Sequence, residues 1–168
     1  MLHLAAHLVG AHIHTISISA SCDTVDLLGG FDQVEGQQGV FEWRDSALVR
    51  AMIEGHWIVL DNANFCSASV LDRLNPVVEP NGYLTINEQG MVNGKTRVIH
   101  PHPNFRMFIT MDPRHGEISR AMRNRSVELH VAEIPVDSDD AVAIAAQESK
   151  GGISADVLNN VCASHANI

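Results

Sequence analysis

The sequence is short of several things, and each shortage narrows what the chain can be. It has three cysteines, Cys22, Cys66 and Cys162, at no paired or zinc-like spacing. That excludes a disulfide scaffold and reads as reduced thiols in an intracellular protein. No apolar run approaches the roughly 20 residues a membrane-spanning helix needs. Residues 1–10 lack the basic start of a secretory signal. Positive charge is scarce: 11 Lys and Arg stand against 20 Asp and Glu, a formal net charge of -9. That balance argues against non-specific nucleic-acid binding as the main business. A phosphate cradle of the form G-x-x-x-x-G-K-[ST], whose backbone N–H groups and lysine hold phosphates, is also missing. The one Gly-Lys pair, Gly94-Lys95, has no strand before it and no helix after it.

What remains suits one globular domain: 168 residues, 45% hydrophobic and 18% charged, enough for a single core. Residues 1–8 read as the end of a helix closed by Gly10. Residues 12–19 alternate and are rich in Ile, Thr and Ser, which predicts a strand. Residues 23–38 read as a glycine-rich loop. A helix opened by Arg44 or Asp45 runs to Glu54 and stops at Gly55. Ser67 is a plausible cap for the next helix, which Pro76 kinks or stops. Two β-like runs, 83–87 and 96–99, read as a hairpin. Residues 105–110 and 126–131 read as strands, with a short helix over 118–124 between them. Helices are expected over 136–147 and 154–163. Four strands alternating with helices predict an α/β fold with a parallel sheet.

The run Trp57-Ile58-Val59-Leu60-Asp61-Asn62-Ala63-Asn64 carries the chemistry. Four apolar residues run unbroken into an aspartate, as in a strand buried on both faces. Ligands of open α/β sheets sit beyond the carboxyl ends of such strands. The same strand-then-Asp pattern holds magnesium in P-loop nucleotidases. The alternative is that Asp61 merely caps the following helix. Asn62 follows, and an amide is a poor general base although it can orient water.

Phe41-Glu42-Trp43, the run 54–64, Ser69-Val70-Leu71-Asp72-Arg73-Leu74-Asn75 and Glu79-Pro80-Asn81-Gly82 together resemble the midasin family. So do Pro101-His102-Pro103-Asn104-Phe105-Arg106, Thr110-Met111-Asp112-Pro113 and Ser119-Arg120-Ala121-Met122-Arg123-Asn124-Arg125. These are very large dynein-related proteins with six AAA+ modules in one chain. The resemblance covers roughly residues 1–131. It implies a P-loop NTPase-like AAA+ core, truncated because the first strand and Walker A are missing, with a β-hairpin insertion. Residues 1–135 would be a partial large subdomain and 136–168 the start of a helical lid or linker. The chain is expected to be a piece of a longer protein, with Met1 not its native start. Asp61 matches the Walker B aspartate, which holds magnesium. Asn62 stands where active modules carry glutamate, and Asp112 stands at the sensor 1 position. Arg125, or less favourably Arg123, matches the arginine finger that reaches the neighbouring module's nucleotide. The hairpin 83–99 resembles the insertion that this branch carries in its second helix.

The resemblance further implies ATP and magnesium as cofactors of the intact protein. The implied partners are neighbouring AAA+ modules in a pseudo-hexameric ring, and the pre-60S ribosomal particle with its assembly factors. The implied location is the nucleus, in nucleolus and nucleoplasm. No direct membrane contact and no sequence-specific nucleic-acid site are expected. A second reading is a scaffold or interaction module that keeps the fold without turnover. A MoxR-type relative would predict glutamate at position 62 and no Phe41-Glu42-Trp43 run, and neither holds. Arg125 has a surface-charge alternative, and members of the 120–125 cluster are also expected in interdomain salt bridges. His12, His14, His100 and His102 lack a cysteine at metal-ligand spacing and read as structural or exposed. Cys66 has no local base to make it a nucleophile. Asp137 to Asp140 read as a solvated helix start rather than a calcium loop.

Overall fold

The computed structural model describes residues 2–92 and 94–131. The chain divides into two compact units, Met1–Val127 and Glu128–Ile168. The first holds all the regular structure among the described residues, and none of its helices is long and apolar enough to cross a membrane. The helices expected over 136–147 and 154–163 lie outside the described residues.

Three of the four strands read from the sequence form one parallel sheet. Its strands are β1 (Ile13–Ser17), β4 (Trp57–Asp61) and β7 (Arg106–Ile109), in the order β1-β4-β7. The central position of β4 explains its unbroken apolar run: Ile58, Val59 and Leu60 are all buried. Period-two alternation divides the sheet into unequal faces. Ile16, Ile18, Ile58, Leu60, Met107 and Ile109 point into the main core. Trp57, Val59 and Asp61 occupy the other face, where the Trp57 and Phe108 rings meet in a tilted pair with centroids 5.1 Å apart. Helix α1 (Leu2–Val9) buries only Ala6, and Leu4 and Leu8 stay exposed.

The expected strand over 126–131 is not formed. That segment carries no strand among the described residues, and Val127 is 89% exposed. A strand exists through the ladder it joins. The neighbour that the resemblance would give it, the strand leading into a phosphate cradle, is not in the sequence.

The stretch read as a loop over 23–38 is ordered. It holds α2 (Thr24–Leu28), β2 (Gly29–Gln33) and then β3 (Phe41–Asp45), with β2 and β3 paired antiparallel. Asp23 caps α2 in a capping box closed by Asp26, a short signal that the glycines around it obscured. Helix α3 (Ala47–Glu54) is capped by Ser46, not by Arg44 or Asp45, since Asp45 ends β3. The ends of the hairpin meet: Ser46 Oγ donates to the Leu27 carbonyl at 2.6 Å. The hairpin that interrupts the helical crossover from β1 to β4 is therefore 29–45. The 83–99 hairpin, expected in that place, lies in the next crossover. It consists of β5 (Leu84–Val92) and β6 (Lys95–Ile99) and follows α4 (Ala68–Leu71). Pro76 does not end its segment. It sits inside a 3₁₀ stretch, Asp72–Val78, whose looser hydrogen bonding tolerates a missing donor.

Helix α3 buries Leu48, Val49, Ala51 and Met52 against this core, each of the larger ones worth about 1.5–3 kcal/mol. It stops at Gly55, whose φ of 79° is left-handed and whose Cβ position is filled by the His102 ring. Any side chain there would have to displace the His102 ring, and most would also be strained by the left-handed backbone.

The two hairpins are latched at Asp45. Its carboxylate accepts from Arg97 Nη1 at 2.6 Å and Nη2 at 2.8 Å, and from Trp43 Nε1 at 2.8 Å. Burial alone would raise the Asp45 pKa, but the hydrogen bonds from Arg97 and Trp43 outweigh it and hold it below the ordinary value. A depressed folded-state pKa contributes stability that is present above the unfolded value of about 3.9 and is lost as pH falls further. Arg97→Ala is expected to cost roughly 1–3 kcal/mol at neutral pH. In urea titrations the gap between wild type and variant should narrow below about pH 4; a gap that stays constant would remove Asp45 from the account.

Candidate functional site

The carboxyl ends of β4 and β7 bring Asp61, Asn62, Thr110 and Asp112 together. Three strands fix Asp61. Its carbonyl accepts from Ile18 N–H at 2.8 Å, and Thr110 N–H donates to the Leu60 carbonyl at 3.0 Å. Its Oδ1 accepts from the Thr110 hydroxyl at 2.5 Å, and its Oδ2 from Asn62 Nδ2 at 3.3 Å. Asp61 caps no helix: the 3₁₀ turn Ala63–Phe65 is capped by Asn62. The capping alternative is thereby set aside. Both carboxylate oxygens are pre-oriented and only half-buried, with lone pairs left to accept from water.

Asn62 has φ 58° and ψ 41°, a left-handed backbone. Among residues other than glycine, asparagine and aspartate enter that region at least cost. The amide at this position therefore has a structural reason besides a chemical one. Its N–H also donates to Thr110 Oγ1 at 3.1 Å.

Asp112 lies beside this group but spends its carboxylate elsewhere. It caps Arg114 N–H at 3.0 Å and pairs with the Arg114 guanidinium at 2.9 Å and the His115 ring at 3.2 Å. The Arg114 hydrogen bonds hold its pKa down at about 2, so it is fully ionised at neutral pH. Its carbonyl accepts from Asn64 Nδ2 at 3.1 Å.

The arginines belong to a different cluster. Arg125 Nε donates to Glu79 Oε1 at 2.8 Å, and its Nη1 to the Ala121 carbonyl at 2.8 Å. Arg123, on α5 (Arg120–Arg123), pairs with Glu117. Ser119 ties this helix to Asp72 at 2.8 Å.

Thr110 is the residue that the sequence reading passed over. The Thr110-Met111-Asp112-Pro113 run drew attention to Asp112. Register was the available signal: Ile109 pairs with Leu60, so Thr110, not Asp112, stands level with Asp61. Sheet register is not visible until two strands are aligned.

Among the described residues no group of three or more His, Cys, Asp or Glu is arranged to hold a metal on its own. That is compatible with magnesium, which is bound through one or two carboxylates, several waters and substrate phosphates. Asp61, oriented by Thr110, fits such a role. The triphosphate does not find its cradle here, because the sequence has none. Two surface clefts lie at the opposite, amino ends of the strands. One is lined by His14, Arg50 and Glu54, the other by His12, Trp57 and Arg106.

The model of the AAA domain, dynein-related subfamily, matches residues 1–126. The chain belongs to that family. This AAA domain is 56% identical to the midasin of Dictyostelium discoideum over 98 residues and 55% identical to that of Giardia intestinalis over 97. Each match covers 58% of the chain and 2% of the midasin, so the chain spans a small part of those relatives. An uncharacterized protein of Staphylococcus aureus is 28% identical over 139 residues, covering 79% of the chain and 50% of that protein. A crystal structure of a candidate ATPase from Cytophaga hutchinsonii shares the fold. Its TM-score is 0.60 at 17% identity, over 86% of this chain and 40% of that one. The midasin resemblance and the α/β AAA class read from the sequence are borne out. The family implies nucleotide binding, generally with magnesium, and neighbouring AAA modules.

Proposed function

We propose that this AAA domain serves as one module of a midasin-like remodelling machine. ATP is bound between neighbouring modules of a pseudo-hexameric ring, and motion passes through the ring to a remote substrate. The work is the release of assembly factors from pre-60S ribosomal particles, in nucleolus and nucleoplasm. The observation that carries this reading is Asp61, held at the carboxyl end of the central parallel strand with both oxygens pre-oriented. Bound there, magnesium would offset phosphate charge. Thr110 fixes the carboxylate that receives it, and Asn62 orients water without removing its proton. Arg125 would act on the next module's nucleotide, exchanging Glu79 for phosphate.

The test uses the product of the full reading frame that encodes this chain. Asp61→Ala is expected to weaken magnesium-dependent binding of a fluorescent ATP analogue by at least about tenfold. Binding that ignores both magnesium and the substitution would overturn the nucleotide role. Failure of the tagged protein to copurify with large-subunit precursors would overturn the ribosomal one. The second reading, a scaffold without turnover, is favoured by one specific feature: Asn62 stands where a general base would act.

A further inference from the structure

Cys22 and Cys66 each lie five residues beyond the Ser17–Asp61 register pair of β1 and β4. The loop leaving one strand and the turn leaving the other run side by side, joined where Ile18 N–H meets the Asp61 carbonyl. The thiols are brought together at its end. Cys66 Sγ donates weakly to the Cys22 carbonyl at 3.9 Å, and Cys22 packs against the core cluster that contains Cys66. Cys66 is buried and Cys22 half-buried. Cys22 is therefore the more accessible of the two residues, and Cys66 lies further inside. A second cysteine beside the first is what a sulfenic acid needs in order to condense to a disulfide.

We propose that Cys22 and Cys66 form an oxidisable dithiol, which a hydroperoxide converts to an intramolecular disulfide. Cys22, as thiolate, attacks one peroxide oxygen, leaving a sulfenic acid and hydroxide. The Cys66 thiol then attacks the Cys22 sulfur and expels water. Two thiols and one hydrogen peroxide become one disulfide and two waters. The bond pins the turn 62–66, which begins at Asn62, to the loop leaving β1. The reaction is slow at neutral pH, because burial first, and then Cys66 and Asp26, push the Cys22 pKa up to about 12. Only the thiolate reacts, so the rate should rise about tenfold per pH unit between about pH 7 and 9.

The test treats the purified full chain with hydrogen peroxide, blocks remaining thiols with N-ethylmaleimide and maps the peptides without reduction. The expected product is a Cys22–Cys66 linked peptide, cleaved by dithiothreitol, with Cys162 alkylated. Separate alkylated or overoxidised Cys22 and Cys66 peptides would overturn the proposal, as would pairing of either with Cys162. Phenylarsine oxide gives a second readout on the unoxidised chain, since it bridges only thiols in contact. Stoichiometric capture, lost in Cys22→Ser, is expected; no capture by the native chain would equally overturn it.

Discussion

Leu60→Ala is expected to lower the unfolding free energy by about 2–5 kcal/mol, the range for large-to-small changes in a packed interior. Leu60 has no exposed surface and sits on the central strand, facing the core between Ile16 and Ile109. The surroundings cannot collapse into the vacancy, because strands on both sides hold the backbone in place. Domains of this size are stable by only about 5–15 kcal/mol. A loss at the upper end would leave a sizeable unfolded fraction without denaturant. Urea unfolding followed by tryptophan fluorescence measures it. A loss under about 1 kcal/mol would mean that this face is not the main core.

Magnesium-dependent ATP turnover by the purified 168-residue chain is expected to be absent, and Asn62→Glu is not expected to create it. Two defects act in series. Without a cradle, the γ-phosphate is neither held nor charge-compensated, and positioning and electrostatics are most of what such sites supply. Without a base at position 62, water keeps its proton. Restoring the carboxylate repairs only the second defect and adds backbone strain, because glutamate would have to occupy φ 58°, at about 1–3 kcal/mol. A coupled phosphate-release assay at saturating ATP decides. Turnover by the native chain that disappears in Asp61→Ala would sink this account.

The parts legible in the sequence were those with strong local signals. The apolar run 57–60 announced a strand buried on both faces, and the Gly55 stop and the Asp61 carboxylate were equally plain. The hairpin 29–45 was not legible: its strands are short and half-exposed, so no clean alternation marks them. The strand expected over 126–131 failed for the opposite reason. Its residues suit a strand, but a ladder needs a neighbour that the sequence does not contain. At the site, Asp61 and Asn62 could be read from one segment. Thr110 could not, because its part depends on which residue of β7 stands opposite β4. Arg125 was read from a motif, while its bond to Glu79 depends on a fold-back across 46 positions.

The joint between Leu27 and Ser46 reaches further than its one short bond. The helix leaves the core at Gly29 and re-enters it at Ser46, and those two points touch. Trp43 packs on the core and Asp45 holds Arg97, so the base of the hairpin is tied down, while its tip is mostly exposed. Evolution can rewrite the tip at 34–40, or graft a longer arm in its place, without disturbing the strand that carries Asp61. The architecture thus separates the strands that must stay fixed for chemistry from a short hairpin tip that is free to diversify.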